Sequence, residues 1–122
     1  MPRDRSDAAL LLDMLQAAEA VDRYTAGKSQ ADFLNDEILR SAVERKLEII
    51  GEACRKVSKD FQTKNAQIPW TKISATRHIL AHDYGDVNYD IIWQIVTVYV
   101  PQLIAMLRPL IPQPPADPDP GN

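Results

Sequence analysis

With 122 residues, 45% of them hydrophobic and 25% charged, the chain has the size and balance of one soluble globular domain. Its single cysteine, Cys54, excludes an intrachain disulfide framework and suits a reducing compartment. Taken alone, the formal net charge of −3 argues against a nucleic-acid binder. The charge is uneven, however. Residues 1–39 and 78–122 each carry a net of −4, whereas residues 40–77 carry +5 from nine lysines and arginines. That middle stretch suits either one basic face or ordinary solvated helix positions. The N-terminal apolar stretch, Ala8 to Leu12, is cut by Asp13 and preceded by acids, unlike a secretory signal. No uninterrupted apolar run has bilayer-spanning length, so a cytoplasmic protein without a membrane partner is expected.

Helical spacing of Leu11, Leu15, Ala18 and Val21 predicts a first helix over about residues 5–26, closed by Gly27. Residues 29–35 read as a connector with Ser29, Asp32 and Asn35 as candidate caps. A long second helix is predicted over about 35–59, its apolar line running Ile38, Ala42, Val43, Leu47, Ile50, Ala53, Cys54, Val57. Gly51 inside it costs about 1 kcal/mol relative to alanine, which a close helix crossing would explain. Residues 60–69 read as a polar connector, with Pro69 suited to the first turn of a third helix ending near Ala81. A fourth, very apolar helix is expected from about Asn88 to Leu110, kinked at Pro101. The expectation is all-α: an up-and-down four-helix bundle over residues 1–111, with a disordered Pro-rich tail at 112–122.

Within this frame the segment Arg77-His78-Ile79-Leu80-Ala81-His82-Asp83-Tyr84 matches an Arg-x4-His-x-Tyr pattern. It resembles the signature of HepT-type ribonuclease toxins of the HEPN superfamily. Three further blocks agree in order: Glu44 to Ala53 resembles the family's second helix, Ile68-Pro69-Trp70 its entry into the third, and Val87 to Val96 with Pro101 and Leu103 its last. The resemblance covers roughly residues 8–110. Family members usually carry Asn after the motif arginine, where this chain has His78. The resemblance implies an HEPN-like fold and the toxin of a toxin–antitoxin pair, acting as a metal-independent endoribonuclease. Its RNA substrate would be tRNA in the family's favoured case. It also implies a homodimer with the motifs facing one another, and an MntA-like nucleotidyltransferase antitoxin that attaches AMP to the motif tyrosine, here Tyr84.

The chemistry fits the residue types. Cleaving RNA without a metal needs a base for the 2′-OH, a stabiliser for charge on the phosphorane and an acid for the leaving 5′ oxygen. An unperturbed imidazole has its pKa near neutral, so His82 suits the base or the acid. Arg77 stays charged and grips phosphate oxygens in pairs. One chain offers one of each and a two-fold dimer offers two, which is a physical reason to place the site at a dimer interface. Arg77 and His82, five apart, lie about 140° from one another on an α-helix and share a site only if the helix loosens near Gly85. His78 and Asp83 are the supporting positions, and no cofactor is implied.

Other readings of the same residues exist. Arg77 suits a surface ion pair, His82 a helix-end side chain, and Tyr84 a half-buried aromatic. Trp70, Trp93 and Tyr99 suit core or interface packing better than base stacking, and Cys54 suits inert packing. His78, His82 and Asp86, four apart in turn, have the spacing of a metal site but lack a further strong ligand. A non-catalytic module that scaffolds a nucleotidyltransferase is the competing function.

Overall fold

The computed structural model describes residues 5–80 and 87–112, and its regular secondary structure there is all helical. The first helix, α1, spans Asp7–Thr25 and buries eight of its 19 residues. Its N-cap is Ser6, whose hydroxyl accepts from the amide of Ala9. Gly27 sits just past its end at φ +73°, a left-handed conformation that an L side chain resists.

The expected connector at 29–35 contains a short helix of its own, α2 (Gln30–Leu34), closed by a Ser29–Asp32 capping box. The two hydrogen bonds from Ser29 hold the Asp32 carboxyl below the usual carboxylate range. The long helix, α3, therefore starts later than predicted, at Glu37, and runs to Lys56 with Asp36 as its cap. That shift moves one apolar residue. Ile38 is 83% exposed, and Leu39 takes the first core position of the stripe continued by Val43, Leu47, Ile50 and Cys54.

The polar stretch after α3 also folds into a short helix, α4 (Lys59–Lys64). Its cap, Ser58, donates its hydroxyl and its amide to the two oxygens of Asp7 at 2.6 and 2.8 Å, tying α4 to the start of α1. The next helix, α5, spans Trp70–Leu80. Pro69 lies one residue before it and accepts from the amide of Ile73. Trp70 anchors this end: it is buried, packs edge-on against Phe61, and donates its indole N–H to the Asn65 carbonyl at 3.0 Å. Cys54 packs beneath, fully buried, with Sγ 3.3 Å from the Trp70 carbonyl; burial pushes its thiol up, which suits inert packing.

The last helical stretch runs from Tyr89 to Leu110. It is regular in α6 (Tyr89–Gln94) and α7 (Val100–Leu107), which are joined by a π turn at Ile95–Tyr99. The Val100 amide reaches back to the Ile95 carbonyl, so the widened turn lies directly before Pro101, the residue expected to kink the helix. By length and composition this stretch is long and apolar enough to cross a membrane, although polar residues interrupt its apolar run. Its polar interruptions, such as Gln94 and Gln102, fall on exposed positions, and its apolar residues Ile92, Val96, Val100, Leu103, Ile104 and Leu107 are buried in the bundle core.

In the bundle, α3 packs on α1 along one side and on α5 along the other, while the C-terminal helix packs on α1. Phe33 of α2, fully buried, meets both Tyr89 and Trp93 and fastens the start of that C-terminal helix. Gln30 adds a 2.8 Å hydrogen bond to Asp90. Between α5 and the C-terminal helix a cleft of about 550 Å³ remains, lined by Leu47, Ile50, Ile73, Thr76, Ile95 and Leu103 among others.

Candidate active site

Arg77 lies on α5 where that helix crosses α3 at Gly51. A Cβ added to Gly51 would stand 2.8 Å from Arg77 Cγ and 3.5 Å from the Ile73 carbonyl. The first distance is closer than side chains tolerate. Gly51 is thus the position that lets the aliphatic stem of Arg77 lie across α3, which supplies the close crossing that the glycine's helix cost called for.

The head of Arg77 is held by the next residue of α3. Its Nε lies 3.3 Å from Oε2 of Glu52. Only that edge of the guanidinium is engaged by the ion pair, and the side chain is 42% exposed. Among the described residues no acid other than Glu52 pairs with Arg77, and its terminal N–H groups form a fork that suits an anion. Glu52 also takes Arg55 on Oε1 at 2.7 Å and faces Lys56 at 3.6 Å. The hydrogen bond from Arg55 holds the Glu52 carboxyl below its usual range, working against partial desolvation; the charges of Arg55, Arg77 and Lys56 act in the same sense. Glu52 is an anion at neutral pH, and among the described residues it faces three cations at once.

His78, next along α5, is exposed. The remaining expected site residues, His82, Asp83 and Tyr84, lie outside the described residues, as does Asp86 of the weighed metal site. The motif singles out Arg77 but not Glu52, its ion-pair partner. Glu52 stood inside the resembling block of the second helix, and the signal that marks it is its spacing: cations at i+3 and i+4, directly after a helical glycine.

The described residues thus form an all-helical bundle in which an arginine lies over a helical glycine and pairs with the following glutamate. Residues 14–110 match the HepT-like ribonuclease family (Ribonuclease HepT-like), and the chain belongs to that family. It is similar to "Putative RNase MJ1380" of Methanocaldococcus jannaschii, 38% identical over 99 residues that cover 81% of this chain and 91% of the relative. It is also similar to "Putative RNase TTE0752" of Caldanaerobacter subterraneus subsp. tengcongensis, 37% identical with 80% and 88% covered. "Probable ribonuclease HepT" of Thermococcus cleftensis is 35% identical, with 81% and 90% covered. No solved structure gives a significant match.

Proposed function

We propose that this chain is a metal-independent endoribonuclease, the toxin of a cytoplasmic toxin–antitoxin pair, with Arg77 and His82 as its catalytic residues. The observation that carries this reading is the seating of Arg77: stem over Gly51, Nε 3.3 Å from Glu52, side chain 42% exposed. Family membership supplies the RNA substrate, with tRNA the first candidate. In the reaction His82 removes the proton of a 2′-OH, the 2′ oxygen bonds to phosphorus, and Arg77 stabilises the charge that builds on the phosphorane oxygens. The bond to the 5′ oxygen then breaks, and a second imidazole, His82 of a two-fold-related copy, protonates it. Exposed apolar side chains that line the cleft, Ile91 and Tyr99, suit that homodimer. Tyr84, two residues beyond His82, is the point at which an MntA-like nucleotidyltransferase would attach AMP and silence the site; His78 and Asp83 flank the catalytic pair as supporting groups.

Purified wild type and His82→Ala, each incubated with total cellular RNA with and without a chelator, test the reading. Wild type is expected to cleave equally well in both conditions, and His82→Ala to leave the RNA intact. Cleavage by His82→Ala at the wild-type rate, or loss of wild-type cleavage on chelation, would overturn it.

A further inference from the structure

The cations around Glu52 outnumber what that residue can neutralise. Elsewhere among the described residues the ion pairs are one to one: Arg5 with Asp13, Arg45 with Glu48, Lys64 with Asp60, Arg108 with Glu19. At Glu52 three cations, Arg55, Lys56 and Arg77, meet one carboxylate. The cluster keeps a net charge of +2 and is open to solvent, with the side chains of Arg55 and Lys56 53% and 55% exposed. Three like charges gathered on one anion repel each other, and a polyanion laid across them relieves that repulsion. The cluster also lies within the basic stretch of a chain that is acidic on both sides of it in sequence.

The two guanidiniums are fixed on opposite oxygens of the same carboxylate, Arg55 through Nη2 on Oε1 and Arg77 through Nε on Oε2. Arg55 donates one N–H to Glu52, Arg77 meets it as an ion pair, and each guanidinium carries further donors that suit a phosphate. Arg77 carries the reaction's phosphate in the function proposed above, on which this step rests. Arg55 and Lys56 sit immediately beside it, on a different helix, α3.

We propose that Arg55 and Lys56 form a phosphate-binding subsite for the RNA strand next to the scissile bond, with Glu52 as the brace that spaces it from Arg77. The subsite reads backbone charge and not base identity, so it adds affinity equally for all sequences. It extends the site from one cation to three along a single strand.

The test is binding of a single-stranded RNA oligonucleotide at several salt concentrations, in a His82→Ala background so that the RNA stays intact. Arg55→Ala/Lys56→Ala is expected to weaken binding ~10-fold and to flatten the slope of log K against log salt by about 1.4, the value for two phosphate contacts on a single strand. Arg55→Lys/Lys56→Arg keeps the slope. Arg108→Ala, which removes a cation paired with Glu19, also keeps it. With His82 restored, the double alanine variant shows its loss in KM; a role confined to bracing Arg77 would lower kcat and leave the salt slope alone. An unchanged slope and affinity in the double alanine variant would overturn the subsite while wild-type RNA cleavage still stood. RNA that wild type fails to cleave overturns the proposed function, and RNA that the His82→Ala protein fails to bind overturns the subsite.

Discussion

The helices α1 and α5 are built for different work. α1 buries eight of its 19 residues, packs on α3 and on the C-terminal helix, and is tied through Asp7 to Ser58. α5 buries only Trp70 of its 11, packs chiefly on α3, and borders an open cleft on its other side. The helix that carries the candidate chemistry therefore contributes little to the core. It is pinned at its start by Trp70 and in its middle by the crossing at Gly51. The core and the candidate site draw on different surfaces of the same bundle, so substitutions should separate them.

The largest expected effect lies on the scaffold. Leu11→Ala deletes a side chain that is 1% exposed and should cost about 2–5 kcal/mol of unfolding free energy, while leaving cleavage per folded molecule intact. Chemical denaturation with an activity assay on the same samples checks both halves. Gly51→Ala tests the crossing. Alanine relieves a helix cost of about 1 kcal/mol, yet its Cβ meets the Arg77 stem, so cleavage should fall by roughly tenfold with stability changed by less than about 1 kcal/mol. Cleavage kinetics and thermal melts read the two quantities separately.

A smaller effect is expected from Glu52→Gln, which keeps the shape of the brace and removes its charge. The Glu52 carboxyl is held below its usual range in the folded protein, so the stability it contributes is present above the unfolded carboxylate pKa and is lost as pH falls through the folded value. Wild type should be modestly more stable than Glu52→Gln near neutral pH, by an amount fitting a half-exposed pair. The difference should vanish under acid conditions, as melts of both proteins across pH would show. The smallest effect is expected at Ile38, 83% exposed: Ile38→Ser should shift unfolding by no more than about 0.5 kcal/mol and leave cleavage unchanged.

Ile38 also shows how far the sequence could be read. The stripe of α3 was legible from its period, but which residue starts it depends on Asp36, and not Asn35, serving as cap. The period alone does not choose between neighbouring caps. The two short helices, α2 and α4, escaped notice because five or six residues are too few to show a hydrophobic period, although Ser29 and Asp32 were recognised as capping residues. The C-terminal helix was legible as one apolar stretch, but the π turn before Pro101 was not, because a widened turn leaves no mark in composition. At the candidate site, Arg77 was legible from its motif. Its grip by Glu52 was not, since residues 25 positions apart meet only once α3 and α5 have crossed.

The most direct test puts both halves of the comparison on one protein: RNA cleavage and thermal unfolding of Arg77→Ala beside wild type. Losing the phosphate-stabilising group should cut cleavage by about 10²–10³-fold. Removing an ion pair that is largely exposed should shift unfolding by less than about 1 kcal/mol. Cleavage at the wild-type rate by a folded Arg77→Ala protein would contradict the account, because it would leave the arginine over Gly51 with no part in the reaction.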